Sequence, residues 1–172
     1  IAAALVVLAA AVLLPRIAVA PGSVRYQTSF FDVFDTYSEI IVYAPTEDAA
    51  REIADAAHGE LLAYHQLYDI YNDYDGLTNL KTVNEQAGVA PVAVDERIMA
   101  LLSFAKTMAQ ETGGRMNVAM GSVLAIWHDY RTKGLEDPAA AALPSMEELQ
   151  AAAAPTDIDD LGLDSTAGTV FF

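Results

Sequence analysis

Residues 111–131 read ETGGRMNVAMGSVLAIWHDYR, and the reading of this stretch decides the fold. Two adjacent glycines, an Asn inside an apolar run, a third glycine and the only Trp of the chain fall within it. Gly113 or Gly114 ends the helix before it, because glycine takes the left-handed conformation that closes a helix. That helix opens at Asp95 and carries Ile98, Leu101, Leu102, Ala105 and Met108 on one face. Beyond the glycines, a helix or turn ending at Trp127 is predicted. The glycines also have a second use, since a backbone without side chains lets its amides approach a ligand closely. Taken alone this signal is weak, because the stretch is not a dinucleotide fingerprint.

Upstream, VRYQTSFFDVFDTYSEIIVYA (24–44) is rich in β-branched and aromatic residues and predicts two strands with Asp32 or Asp35 near the break. Pro45 ends them. Thr46 then caps a long helix with Glu47 and Asp48 in its first turn, and this helix is predicted to reach about Asn72. Its apolar face is Ile53, Ala56, Ala57, Leu61, Tyr64, Leu67, Tyr68 and Tyr71, with Glu60 intruding. NDYDGLTNL (72–80) predicts a turn around Asp75-Gly76. A short helical turn, a loop at Gly88 and a short extended piece follow.

Downstream of Gly134 the chain is alanine-rich and punctuated by prolines. Ser145, with Glu148 three residues on, has the form of a capping box and predicts a helix from Met146 to about Ala153. Leu161–Asp164 and Thr169–Phe172 read as a hairpin. The overall class is α+β. Its 172 residues suit one domain with a core.

The first twenty residues, IAAALVVLAAAVLLPRIAVA, differ from the rest. The apolar run to Leu14 would span roughly 21 Å as a helix, short of the ~30 Å hydrocarbon core. Because the chain opens on Ile, residues are expected to precede it, completing either a signal-peptide core or a membrane anchor. Ala18-Val19-Ala20 has the small-x-small form of a cleavage site, but Pro21 would be the first mature residue, so an uncleaved anchor is the expectation. The domain reading is therefore 1–20 as signal or anchor, 21–33 as linker and first strand, and 34–172 as the N-terminal portion of a larger domain.

A formal charge of −15 excludes non-specific nucleic-acid binding, whose affinity comes from Lys and Arg on phosphates. The absence of cysteine excludes disulfides, thiolate catalysis and Cys-type zinc sites. His58 and His65, seven apart on one helix, lie about 10 Å apart along its axis, too far to share an ion. His128 beside Trp127 can form a polar cluster or a plain helix exit. No serine sits in a nucleophile-elbow sequence. Asp32, Asp35, Asp69, Asp73 and Asp75 flank aromatic residues, but spacing does not pair them. Tyr64, Tyr68 and Tyr71 fit a core face, whereas Tyr74 lies in a turn where its ring can stack on a flat ligand.

Three ordered segments together resemble the FAD:protein FMN transferase family, the ApbE-type flavin transferases. FDTYSEI (34–40) is similar to that family's opening strand. YDGLTNLKTVN (74–84) is similar to its Tyr-x-x-x-Ser, then Leu-Ser-x-x-Asn pattern, with Tyr74, Thr78 and Asn84 at matching intervals. TGGRMNVAMGSVLAIW (112–127) resembles its Gly-Gly-x-x-Asp-x-Thr-x-Gly-Pro-Leu-x-x-x-Trp signature. The resemblance implies an incomplete ApbE-like (T-fold-like) α+β domain that uses Mg²⁺ to cleave FAD and pass FMN to a Thr or Ser hydroxyl of a flavoprotein acceptor. It implies an extracytoplasmic location, here at the outer face of a bacterial membrane or in the periplasm. It also implies that Tyr74 borders the flavin-containing ligand, and that Arg115, Met116 and Asn117 line the FAD pocket through backbone and side-chain contacts. Asn117 stands where the family's Asp is usual, Ala119 where its Thr is, and Phe34 where its Met is common. No metal ligand is assigned in this chain. The Mg²⁺ ligands are expected downstream of Phe172, and the 172-residue piece alone is expected to be inactive.

Overall fold

The computed structural model describes residues 20–172. The apolar block at 1–20, where the anchor is expected, lies outside them except for Ala20. Among the described residues, no helix is long and apolar enough to cross a membrane. The chain divides into two compact units, the first ending at Leu62 and the second running Ala63–Phe172.

In the first unit, strands β1 (Val24–Phe30) and β2 (Ser38–Ala44) pair antiparallel, with Tyr26 opposite Val42 and Thr28 opposite Ile40. Alternation along them half-buries Tyr26, Thr28, Ile40 and Val42, and leaves Arg25, Gln27, Ile41 and Tyr43 exposed. This is the period-two pattern of a sheet with one covered face. The connecting segment breaks near the expected aspartates, with Phe34 and Asp35 both at positive φ. Val33 in this segment is fully buried. His58 Nε2 lies 2.9 Å from Oδ1 of Asp32, and its ring stacks on Phe30 at 4.1 Å. Facing a carboxylate, that nitrogen is the donor.

Helix α1 (Glu47–Tyr68) begins as expected, the Ala49 N–H donating to Thr46 Oγ1 at 3.2 Å. It ends four residues before the predicted Asn72. The cause is Asp69, whose side chain takes the N–H groups of Tyr71 and Asn72 and so competes with the helix for backbone donors. The expected apolar face is only partly correct. Ala50, Ala54 and Leu67 are buried, but Ile53 is 52% exposed and Tyr71, beyond the helix end, is 64% exposed.

In the second unit, α2 (Leu80–Glu85) starts on a reciprocal capping box between Asn79 and Thr82. Strand β3 (Val92–Ala93) leads to α3 (Glu96–Glu111), capped by Asp95, whose side chain accepts from the Arg97 N–H. Ile98, Leu102, Ala105 and Ala109 form its buried face. Helix α4 (Gly121–Glu136) runs nine residues past the predicted stop at Trp127. The Asp129–Lys133 pair at 3.2 Å supports its exposed side. Gly134 lets the following segment approach, since a Cβ there would stand 3.3 Å from the Ala141 Cβ. A short helix α5 (Met146–Ala152) is capped by Ser145, as expected.

Strands β4 (Gly162–Asp164) and β5 (Thr169–Phe171) form the predicted hairpin. Their sheet has the order β3-β5-β4, so β5 is central and Val170 faces both Val92 and Leu163. The core joins Leu67, Val83, Ile98, Leu102, Leu161 and Val170. Lys106 Nζ adds a 2.6 Å bond to the Leu161 carbonyl.

Candidate functional site

Two turns of the second unit carry the residues singled out in the sequence. The first follows α1. Its centre is Asp69, only 9% exposed, with each carboxylate oxygen receiving two donors. Oδ1 accepts the N–H of Tyr71 at 2.7 Å and of Asn72 at 3.2 Å. Oδ2 accepts the Asn72 side-chain amide and the Tyr74 hydroxyl, both at 2.8 Å. Burial is the largest single influence and pushes this carboxyl up, but the bonds from Asn72, Tyr71 and Tyr74 together outweigh it and hold the pKa down to about 2.

The turn is closed from its far side by Asn79, which is 1% exposed and donates to the Asn72 carbonyl at 2.9 Å. The Lys81 N–H donates to the Asp69 carbonyl, and its ammonium pairs with Asp73 and Glu85. Gly76 supplies the expected positive φ of 74°. Tyr74 is therefore half-buried in a cross-braced loop. Sequence reasoning did not pair Asp69 and passed over Asn79. The Asn-x-x-Thr spacing of the capping box was the available signal for the latter.

The second turn follows α3. Gly113 and Gly114 have φ of 61° and 78°, and the Gly114 N–H returns to the Ala109 carbonyl at 2.7 Å. Met116 N–H donates to Thr112 Oγ1, and Ala119 N–H to Asn117 Oδ1. The amides of 113, 114, 116 and 119 thus serve the turn itself. Arg115 and Met116 carry exposed side chains, whereas Asn117 is half-buried. The Asn117 side-chain amide donates to the Thr156 carbonyl at 2.8 Å, and Ser122 Oγ to the Ala152 carbonyl at 2.6 Å. The first donor ties the turn to the segment after α5, and the second ties the start of α4 to the last residue of α5.

Arg115, Met116 and Asn117 share this second turn, while Tyr74 belongs to the first. The link between the two regions is aromatic. Tyr71 lies 6.0 Å, ring centre to ring centre, from His128 on α4, the helix that the second turn leads into. Tyr64 and Tyr68 are packed as expected, with Arg97 5.5 Å over the Tyr64 ring and the Tyr68 hydroxyl bonded to the Arg97 carbonyl. A separate groove of about 340 Å³ is lined by Ala125, Ile126, Asp129, Tyr130, Lys133 and Glu148. None of the four predicted ligand-binding residues lines it. Tyr130 there donates to Glu148, which raises the phenol pKa.

Among the described residues, no group of three or more His, Asp or Glu could hold a metal ion. No metal ligand is therefore assigned among residues 20–172.

Comparison with known proteins covers both turns. The sequence pattern of the ApbE family matches residues 34–170. A stretch of 49 residues is 43% identical to an FAD:protein FMN transferase of Treponema pallidum (strain Nichols), covering 28% of this chain and 14% of that protein. The structure is similar to the crystal structure of the ApbE protein of Thermotoga maritima, with a TM-score of 0.69 and 21% identity over 86% of this chain and 44% of the other. That likeness is one of fold. The chain spans less than half the length of either relative. With the family pattern running through most of its length, from the break between the first two strands to the central strand of the second sheet, the chain belongs to the ApbE family.

Proposed function

We propose that this chain forms the flavin-nucleotide-recognising part of an FAD:protein FMN transferase. In that reaction a Thr or Ser hydroxyl oxygen of a flavoprotein acceptor bonds to the FMN phosphorus and releases its proton to solvent, the phosphoanhydride of FAD breaks, and AMP leaves. The observation that carries this reading is the family match over residues 34–170, which contains both braced turns. Tyr74 offers an aromatic face for the isoalloxazine ring. Arg115 and Met116, exposed on the second turn, offer a cation and a polarizable side chain for the nucleotide, and Asn117 holds the shape of that turn.

The diphosphate carries charge that must be neutralised as the anhydride breaks, and Mg²⁺ supplies this in the proposed reaction. Residues 20–172 are assigned recognition and orientation only. The block at 1–20 is proposed to hold the protein at the outer face of a bacterial membrane, where its acceptor would be found.

A second reading, a flavin-binding module without catalysis, draws on Asn117 and Ala119, which replace an acid and a hydroxyl common in the family. One experiment separates the two. The full-length protein is incubated with FAD, Mg²⁺ and a flavoprotein acceptor, and covalent FMN is read by in-gel fluorescence and intact mass. Transfer supports the enzyme, FAD binding without transfer supports the module, and no FAD binding sinks both.

A further inference from the structure

We infer that Asp69 is a positioning residue, which fixes the orientation of the Tyr74 ring before any ligand arrives. The inference rests on the reading of Tyr74 as a flavin-facing residue and assigns a role to a buried carboxylate that this reading leaves unused. Both oxygens of Asp69 are filled, each by two donors at 2.7–3.2 Å, so the group is committed to the turn rather than to a metal or a proton transfer. Three of its donors belong to Tyr71 and Asn72 and shape the loop. The fourth is the Tyr74 hydroxyl, the far end of a side chain whose near end is already held by the loop backbone. Pinning both ends of a tyrosine fixes its two side-chain torsions, and with them the plane of the ring.

The loop is rigid enough for this to matter. Asn79 donates to the Asn72 carbonyl and the Lys81 N–H to the Asp69 carbonyl, so the acceptor is itself anchored to α2. A ring held in this way loses little freedom when a flat ligand stacks on it, whereas an untethered ring gives up rotamer entropy on binding. The hydroxyl is thus needed for its hold on Asp69, beyond whatever the aromatic face contributes.

The test uses the full-length protein and FAD. Tyr74→Phe keeps the ring and removes the tether, Asp69→Asn weakens the acceptor, and Tyr74→Ala removes the face. Binding is followed by titration, and the geometry of bound flavin by its visible circular dichroism. Tyr74→Phe and Asp69→Asn are expected to weaken FAD binding about three- to tenfold and to shrink the dichroic band, with Tyr74→Ala weaker still. Tyr74→Phe is also expected to keep the wild-type far-ultraviolet circular dichroism and a single cooperative melting transition, which separates positioning from a loss of fold. If Tyr74→Phe binds like wild type with an unchanged band while Tyr74→Ala loses binding, the positioning role is overturned and the flavin site stands. If Tyr74→Ala also binds like wild type, or wild type binds no FAD, the reading of Tyr74 and this inference fall together.

Discussion

The Asn117 side-chain amide donates to the Thr156 carbonyl across 2.8 Å, while its Oδ1 accepts from the Ala119 N–H at the same distance. Only an amide can do both. The Asp that the family resemblance places here could keep the second bond but not the first. Asn117→Asp is therefore expected to set a carboxylate against a carbonyl and cost about 1–3 kcal/mol. Urea denaturation checks this, and an unchanged midpoint would show that the Thr156 bond carries no weight.

Gly114 has φ of 78° with open space where a Cβ would point. The cost of a side chain there is one of backbone conformation, free of any clash. Gly114→Ala is expected to destabilise by about 1–2 kcal/mol. Gly114→Asn should cost less, because Asn tolerates the left-handed region. Melting temperatures of the two variants give the order, and the reverse order would contradict the account.

Acid sensitivity should follow Asp69. Its folded pKa of about 2 lies below the ordinary value of 3.8, so its stabilisation is present in full above about pH 4 and is lost as pH falls toward 2. Loss on the order of 2 kcal/mol is expected over that window. Asp95, held down to about 2 first by the Arg97 guanidinium and then by the Arg97 N–H, against the opposing effect of burial, titrates in the same range. The contrast between wild type and Asp69→Asn isolates the first group. Denaturation midpoints from pH 6 to pH 2 should fall less steeply in the variant, and parallel curves would refute the assignment.

Ile98 is fully buried at the meeting of α1, α3 and the β3-β5-β4 sheet. Ile98→Ala is expected to cost about 2–5 kcal/mol through lost burial and the cavity left behind. Ile53, 52% exposed, is the internal control, and its truncation to Ala should change denaturation midpoints by far less.

Much of this was legible in the sequence because the signals are local. Asp95, Ser145 and Thr46 each cap the helix they were expected to cap, and Gly113-Gly114 closes α3. What was not legible depends on competition for hydrogen bonds and on how the chain packs back on itself. The Asp69 carboxylate ends α1 early by capturing nearby N–H groups, a competition that apolar spacing does not report. Helix α4 outruns Trp127, and the close approach of Ala141 to Gly134 near its end is invisible until the chain doubles back. At the candidate site, the two turns were found by motif, but the use of the glycine amides within their own turn could only be seen in three dimensions.

Placing β5 in the middle of its sheet also bears on how the chain is made. Val92 must wait for Val170, its partner, to be synthesised. At ~5–20 residues per second that delay is roughly 4–16 s. Throughout it, Ile98 and Leu102 lack Val170, the central-strand residue that completes their core.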